Sequence, residues 1–269
     1  MKKRTLALAL CAVLALALLS GCGGKQNTTL KGGASPTPHQ EILEDVVKEL
    51  LAKEGITLEV VAYDDYVFPN NHVEDGQLDA NYFQHITYMN EFNESSGTHL
   101  VSVAGIHYEP FGIYAGKTAS LDALADKAVI AIPNDATNGG RALLLLQQEG
   151  LIKLKDGVGL TPTVSDIAEN PHSFDIKELK AELLTTTLKD VDVAVINGNY
   201  ALGAGLKAED ALAFEADDGA AAEAYVNVLA VKEGRENDDS IKALAKALQS
   251  PEVKEYIEKT YGGGVVALF

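Results

Sequence analysis

The chain contains 269 residues with a formal net charge of −17, two cysteines and no tryptophan. The acidic balance argues against nucleic acid as a partner and against electrostatic attachment to anionic lipid. Two cysteines cannot form a framework of several disulfides, so a hydrophobic core must stabilise the fold, and the length suffices for one or two domains.

The N-terminus has the features of a bacterial secretion signal. The basic residues 2–4 (KKR) precede an apolar stretch over residues 5–19, which is short for a membrane span. Residues 19–22 (LSGC) resemble a lipobox, in which the cysteine receives the lipid. We therefore predict a signal peptide ending in the lipobox over residues 1–22 and a lipid anchor on Cys22, at the extracytoplasmic face of the cell membrane. Processing would leave a net charge of −20, because three positive charges are lost, and no free thiol.

Strands alternate with helices along the rest of the chain. Runs of β-branched and apolar residues predict strands, whereas apolar residues at helical spacing predict helices. The predicted strands are 30–34, 56–62, 100–104, 112–115, 128–132, 191–196 and 225–231, and the main predicted helices are 41–53, 71–78, 86–95, 141–149, 240–249 and 251–260. This alternation indicates an α/β fold with largely parallel sheets. The strands near 112–115 and 225–231 suggest a chain that leaves one domain and later returns, with a ligand cleft between the two.

The segment over residues 128–150 combines a predicted strand, a glycine-containing turn and a helix. Free backbone N–H groups at such a helix start favour an anion. Arg141 is predicted in the first helical turn, where its positive charge opposes the helix dipole. A ligand carboxylate gripped in bidentate fashion by the guanidinium would explain that placement, and pairing with a neighbouring Asp or Glu is the alternative.

No motif in the sequence nominates catalytic machinery. The histidines are dispersed, without the close His/Glu spacing of a metal site, at His39, His72, His85, His99, His107 and His172. The sequence also contains no Gly-x-Ser-x-Gly elbow and no phosphate loop of the Walker type. We therefore predict a binding protein without a metal or cofactor rather than an enzyme.

Aromatic side chains cluster in two successive segments after the predicted strand 56–62. Tyr66 and Phe68 share one loop, and the next segment supplies Tyr82, Phe83, His85 and Tyr88. Several rings on loops can form the wall of an apolar cavity, and sulfur–aromatic contacts would favour a thioether ligand. Ordinary packing is the alternative, and it is the preferred interpretation for Phe68, Tyr82 and Tyr88 taken singly.

Two asparagines lie near the predicted crossover between domains. Asn197 follows one strand and Asn227 lies within another. A buried amide needs hydrogen-bond partners, which the ammonium and carboxylate of an amino acid would supply. An amide in a turn or at a strand edge is the alternative.

Several long segments resemble the NlpA-type methionine-binding lipoproteins, in the same order and over essentially the whole mature chain. They are residues 35–43 (SPTPHQEIL), 65–70 (DYVFPN), 79–85 (DANYFQH), 132–141 (IPNDATNGGR), 194–200 (AVINGNY) and 225–227 (YVN). The resemblance implies a two-lobed periplasmic-binding-protein fold of type II with its ligand cleft between the lobes. We accordingly predict one lobe over residues 23–114 plus 227–269 and the other over 115–226.

The resemblance also implies a function: capture of methionine, with L-methionine preferred, and its delivery to the permease and ATPase complex of an ABC importer. Residue by residue, it implies an aromatic wall of Tyr66, Phe83, His85 and Tyr88, a carboxylate contact by Arg141, and orientation of the amino-acid head by Asn197 and Asn227. Asn199 follows the family pattern less closely. Gly32 departs from it, because an apolar residue is usual there, and this departure predicts a softer first strand.

Four alternatives remain open from the sequence. The same scaffold could bind D-methionine, a methionine-containing dipeptide or another small apolar amino acid. A metal-capturing lipoprotein would lose its ligand to a chelator, an enzyme would turn its ligand over, and a structural lipoprotein would bind no small molecule.

Overall fold

The computed structural model describes residues 28–215 and 219–269, so the predicted signal peptide and lipidated Cys22 lie outside the described residues. The strands in the described part are β1 Thr28–Ala34, β2 Ile56–Ala62, β3 Ala80–His85, β4 Leu100–Tyr108, β5 Gly112–Ala115, β6 Val129–Pro133, β7 Lys153–Leu154, β8 Ile167–Glu169, β9 Asp175–Leu179, β10 Val193–Ile196, β11 Ala211–Phe214, β12 Asn227–Lys232 and β13 Val266–Ala267.

Helices connect most of these strands. The first helical segment, α1, comprises Pro36–Gln40, Leu43–Val47 and Lys48–Lys53 and contains wide turns such as the one closed by the Gln40 N–H and the Ser35 carbonyl (2.9 Å). The others are α2 Phe68–Glu74, α3 Ile86–Ser96, α4 Ala136–Gln148, α5 Leu184–Thr187, α6 Gly198–Gly203, α7 Ala220–Ala224, α8 Asp239–Leu248 and α9 Pro251–Tyr261, with single 3₁₀ turns at Leu121–Ala123, Val164–Asp166, Ala181–Leu183, Leu188–Asp190 and Ala208–Asp210.

The first sheet has the strand order β13-β4-β12-β3-β1-β2. Leu30 of β1 and Leu58 of β2 are paired in register and are both buried. They belong to one core with Leu43 of α1, Ile241 of α8 and Ile257 of α9. Full burial of such a side chain contributes about 1.5–3 kcal/mol, so these helices are held on the sheet mainly by their apolar faces.

The second sheet has the strand order β11-β5-β10-β6-β9. Its core joins Ile130 and Ile132 of β6 and Val195 of β10 to Leu143 and Leu146 of α4, all buried. The β-branched runs that predict β6 and β10 are therefore the interior strands of this sheet. β7 and β8 form a separate two-stranded ribbon.

The prediction of largely parallel sheets is correct for only part of each sheet. β1 runs parallel to β2 and β3, and β6 runs parallel to β9 and β10. However, β12 is antiparallel to both β3 and β4, and β5 is antiparallel to both β10 and β11. The reason is that β5 and β12, the strands that follow each passage between the sheets, enter their sheet from the side of the other sheet.

The first predicted lobe boundary also needs correction. Residues 112–114 were assigned to the first lobe, but β5 begins at Gly112 and pairs with β10 and β11 of the second sheet. The first connection between the sheets is therefore 109–111, and the second runs over 215–226. Within the part of the chain that the structure describes, no helix has the length and apolar character needed to cross a membrane.

Candidate ligand-binding site

A cavity lies between the two sheets, beside both connections. Its lining residues are Tyr66, Phe83, Gln84, His85, Tyr88, Glu109, Arg141, Asn197, Gly198, Asn199 and Asn227. All seven residues predicted to bind ligand are among them. The lining combines buried charged side chains and side-chain amides with aromatic rings. The cavity therefore suits a small ligand that has both polar and apolar parts.

Strand ends position most of these side chains. Phe83 and His85 close β3, and Asn197 follows the last residue of β10. Asn227 opens β12, directly opposite His85 in the strand pairing. The cavity therefore lies at the carboxyl ends of β3 and β10, where α/β folds commonly bind ligands.

Three rings form one wall of the cavity. The ring centroid of Tyr66 lies 5.8 Å from that of Phe83 and 5.7 Å from that of Tyr88, and Phe83 and Tyr88 are 6.3 Å apart. Tyr88 is thus a wall residue, contrary to the packing interpretation preferred for it singly. The packing interpretation does describe Tyr82, which is buried in the first core, whereas the Phe68 side chain is exposed.

His85 is held as a neutral imidazole. Its Nδ1 accepts a hydrogen bond from the Tyr88 backbone N–H (3.0 Å), which caps α3, and its Nε2 donates to Asn138 Oδ1 (3.2 Å). Burial, reinforced by the nearby Arg141 charge, lowers the pKa of His85 to about 3. The ring therefore contributes a neutral aromatic surface to the cavity at neutral pH.

Asn138 orients the amide of Asn197. The Asn197 Nδ2 donates to Asn138 Oδ1 (2.8 Å), and Asn138 in turn donates to the Asp135 carboxylate (3.0 and 3.1 Å). Asn197 Oδ1 is buried and has no hydrogen-bond partner among the residues that the structure describes, although the residue lines the cavity. A buried acceptor without a partner is costly, so this atom marks the place for a ligand donor.

The predicted position of Arg141 in the first helical turn is wrong. Asp135 caps α4 by accepting from the Asn138 N–H (2.9 Å), so the helix starts five residues before Arg141 and the guanidinium lies beyond the first turn. The glycines expected in the turn are helical instead. A Cβ on Gly140 would lie 2.7 Å from the Leu160 carbonyl oxygen, which explains the glycine by close packing.

The edge of the Arg141 guanidinium that could bind a ligand carboxylate through two hydrogen bonds is already paired with a protein carboxylate. Arg141 Nε donates to Glu215 Oε2 (2.8 Å) and Nη2 donates to Glu215 Oε1, as the neighbouring-acid alternative describes. Burial disfavours the charge, but Glu215 outweighs this effect and raises the pKa of Arg141. The guanidinium also lies 4.0 Å from the Tyr225 ring centroid. A ligand carboxylate can therefore accept a hydrogen bond from Arg141 only through the remaining nitrogen, Nη1.

Glu109 is a cavity residue that the sequence analysis missed. Its Oε1 accepts from His107 Nε2 (2.8 Å), and its carboxylate also accepts from the Asn199 backbone N–H. Burial raises its pKa above the ordinary value. The only feature of the sequence that could have pointed to Glu109 is an acidic residue placed between an apolar strand and a proline. Asn138 was likewise missed as a side chain that orients another one.

The histidines that are dispersed in the sequence partly converge. Within the described ranges, His39, His107 and Glu109 form a buried group that could hold a metal ion. Both Nδ1 atoms have hydroxyl partners, from Ser35 (2.8 Å) and from Tyr82. In the structure, however, the Nε2 atoms act as hydrogen-bond donors: His39 donates to the oxygen of Asn227 (3.0 Å) and His107 to Glu109. Burial lowers both histidine pKa values, to about 4 and about 3 respectively.

Comparison with known proteins supports the family that the sequence resembles. Residues 30–269 match the family model described as NlpA lipoprotein. The D-methionine-binding lipoprotein MetQ of Salmonella typhimurium is 42% identical over 253 residues, covering 92% of each chain. A lipoprotein structure from Ruminococcus gnavus is 56% identical with a TM-score of 0.88, over 90% of this chain and all of that one. A nutrient-binding protein from Burkholderia cenocepacia, bound to methionine, is 43% identical with a TM-score of 0.85, over 89% of this chain and all of that one. These similarities show a two-lobed substrate-binding architecture.

Proposed function

Because the chain belongs to the NlpA lipoprotein family, we propose that its cavity binds methionine and that the protein delivers it to an ABC importer. The observation that carries the proposal is Asn197 Oδ1, a buried acceptor that has no hydrogen-bond partner within the described part of the chain. It lies on the wall of a cavity that is also lined by the Arg141 guanidinium, the Glu109 carboxylate and three aromatic rings. A free amino acid with an apolar side chain supplies groups for all of them. Relatives described as methionine-binding support this choice of ligand.

The aromatic wall suits the methionine side chain. The thioether is polarizable and makes favourable contacts with rings at about 5 Å, worth about 0.3–1.5 kcal/mol each. Tyr66, Phe83 and Tyr88 surround one region, and neutral His85 adds no charge there. A charged or strongly hydrated side chain would lose its water against this wall without a partner.

The opposite region suits the amino-acid head. The ligand ammonium would donate to Asn197 Oδ1 and to the Glu109 carboxylate. The carboxylate would accept from Arg141 Nη1 and from the Asn227 amide nitrogen, because the Asn227 oxygen already accepts from His39. The cavity thus offers separate acceptors and donors, which distinguishes a zwitterion from an amine or an acid alone.

The remaining parts of the proposal concern anchoring and closure. We place the lipid on Cys22, so that the protein is held at the extracytoplasmic membrane surface and meets the permease there. The two lobes, with their division moved to the 109–111 connection, would close around the ligand by a hinge motion. Tyr66 and Asn199, from opposite sides, would be in contact only in the closed state.

Calorimetry on the full chain in detergent tests this function. The protein is first unfolded and refolded to remove carried-over ligand, and L-methionine, D-methionine, leucine and a Gly-Met dipeptide are then titrated. We expect tight binding of methionine and little response to leucine. Absence of methionine binding would refute the proposal.

Two further measurements address the alternatives. Recovery of unaltered methionine from the complex, checked by mass spectrometry, opposes an enzyme that consumes it. Addition of a chelator should leave methionine binding unchanged, whereas loss of binding would favour a metal held by His39, His107 and Glu109.

A further inference from the structure

Glu215 contacts the cation of the cavity without lining the cavity itself. Its two carboxylate oxygens accept from Nε and Nη2 of Arg141, and the Glu109 backbone carbonyl accepts a further bond from Nη2 (2.9 Å). These bonds occupy one edge and one end of the planar guanidinium. Because the group is rigid, they also determine the direction of the remaining nitrogen, Nη1.

Glu215, at the start of the second connection, is itself fixed by the first connection and by the end of β4. Its Oε1 accepts from the Phe111 backbone N–H (2.9 Å) and from the Tyr108 hydroxyl, and its own N–H donates to the Phe111 carbonyl (3.0 Å). The Glu215 side chain is only 9% exposed. A buried carboxylate with this many donors holds one position, so it can act as a firm support for Arg141.

A competing partner for Arg141 lies nearby. The Glu109 carboxylate lines the same cavity and attracts the Arg141 charge. In the absence of Glu215, the guanidinium would best neutralise its charge against Glu109. That pairing would remove both charged groups that a zwitterionic ligand needs.

We propose that Glu215 is a positioning residue that makes the cavity specific for an α-carboxylate, by holding Arg141 away from Glu109 with Nη1 directed to the ligand. This inference rests on the proposed function, since it takes methionine as the ligand. Glu215 does not touch the ligand in this arrangement. Its loss should therefore weaken ligands that carry a carboxylate most, because they lose the Arg141 contact in addition to the Glu109 contact.

The test compares two ligands on three forms of the full chain. L-methionine and methioninol share the side chain and the ammonium, but methioninol has a hydroxymethyl group in place of the carboxylate. Glu215→Gln keeps the size of the side chain and removes its charge. We expect its Kd for methionine to rise at least about tenfold and its Kd for methioninol, which loses only the Glu109 contact, to rise by a clearly smaller factor. The control Glu209→Gln alters a glutamate that is 76% exposed on the same lobe and should change neither Kd.

The outcomes separate this inference from the proposed function. If the parent protein binds no methionine, the proposed function fails, and the inference fails with it. If the parent binds methionine but Glu215→Gln leaves the ratio of the two Kd values unchanged, or binds methionine more tightly, the positioning role alone is overturned. Should circular dichroism show that Glu215→Gln does not fold, the variant Tyr108→Phe serves instead. It removes one donor to Glu215 and should raise the Kd for methionine more than the Kd for methioninol, and an unchanged ratio of the two Kd values refutes the role.

Discussion

Asn138 Oδ1 accepts from Asn197 Nδ2 at 2.8 Å, and this bond turns the Asn197 carbonyl oxygen toward the cavity, where it has no partner among the described residues. Asn138 is held by the Asp135 cap of α4, so the orientation of the amide follows from how that helix begins. The structure thus contains an oriented, buried acceptor, which under the proposed function would receive the ligand ammonium. Its alignment before binding lowers the ordering cost of the complex.

The first prediction concerns this acceptor. Asn197→Ala should raise the Kd for methionine at least about tenfold, because a bound ammonium would lose a buried acceptor. The free energy of unfolding without ligand should change by about 1 kcal/mol or less, since the lost bond to Asn138 is offset by removal of a partnerless buried oxygen. Calorimetry and urea unfolding measure the two effects. The control Asn90→Ala changes an exposed residue of α3, and unchanged binding in Asn197→Ala would contradict the assignment.

The sequence was sufficient for much of the architecture and for the cavity wall. β6 and β10 were predicted from their β-branched runs, and both are interior strands of the second sheet. Tyr66 and Asn197 could be nominated because they follow predicted strands, and such positions meet at one end of a sheet. Phe83 was nominated as a loop residue, but it lies within β3, a strand that was not predicted. The convergence of Tyr66 and Asn197 is therefore a consequence of local pattern plus a general rule of α/β folds.

Other features depend on contacts that no local pattern encodes. Glu215 and Arg141 are 74 positions apart and meet because β11 and α4 belong to the same lobe. His39 of α1 and His107 of β4 converge, with ring centroids 4.9 Å apart, because α1 follows β1 and β1 and β4 belong to the same sheet. The start of α4 was misplaced because Gly139 and Gly140 usually indicate a turn, whereas here close packing requires them inside a helix.

The second prediction concerns the Arg141–Glu215 pair. Arg141→Ala should abolish detectable methionine binding and destabilise the protein by about 3–5 kcal/mol, because Glu215 is left as a buried charge without its cation. The double variant Arg141→Met with Glu215→Gln should recover most of that stability but not the binding. Thermal unfolding and calorimetry check both. Methionine binding by Arg141→Ala with the parental Kd would show that the carboxylate lies elsewhere.

The third prediction concerns a contact across the cleft. The Tyr66 hydroxyl donates to Asn199 Oδ1 at 2.6 Å, joining the loop after β2 to α6. Tyr66→Phe keeps the ring in the wall but removes this bond, so methionine should dissociate roughly fivefold faster, as expected for about 1 kcal/mol. Stopped-flow fluorescence measures the dissociation rate. Tyr256→Phe removes a hydroxyl that binds Asp45 far from the cavity and serves as the control; equal rates in all three proteins would exclude a closing contact here.

The fourth prediction is a loss of stability in acid. Burial lowers the pKa of His39 to about 4 and those of His85 and His107 to about 3, whereas an unfolded histidine titrates near about 6.5. Below that pH the unfolded chain binds more protons, so the free energy of unfolding should decrease, by on the order of 2 kcal/mol per histidine at pH 5. Burial raises the pKa values of the Glu109 and Asp135 carboxyl groups, and these act in the opposite sense, but they are two groups against three.

Urea unfolding at pH 7.5 and pH 5 measures this dependence. His107→Gln should reduce the difference between the two pH values, since one buried titrating group is removed. His172→Gln replaces an exposed histidine and should leave the difference as in the parent. A parent protein that is equally stable at both pH values would show that these rings do not stay neutral in the folded state.

The last prediction concerns two adjacent glycines in β1. A Cβ on Gly32 would lie 3.7 Å from Leu58 Cδ1, an ordinary contact, whereas a Cβ on Gly33 would lie 2.6 Å from Leu78 Cδ1 and 3.3 Å from Tyr63 Cε2. The glycine at position 32 therefore weakens the first strand, although the space beside it would admit a methyl group. Gly32→Ala should stabilise the protein by about 0.5–1 kcal/mol, because the unfolded chain loses freedom and the methyl group gains packing.

Gly33→Ala is the matched comparison, with the same chemical change one residue further along a strand that pairs with β2 and β3 on either side. It should destabilise the protein by about 1–3 kcal/mol, since Leu78 is buried and must move to admit the methyl group. Thermal unfolding of the three proteins gives opposite shifts of Tm if the packing argument holds. Equal shifts would mean that backbone freedom alone, and not the space beside each glycine, determines the effect.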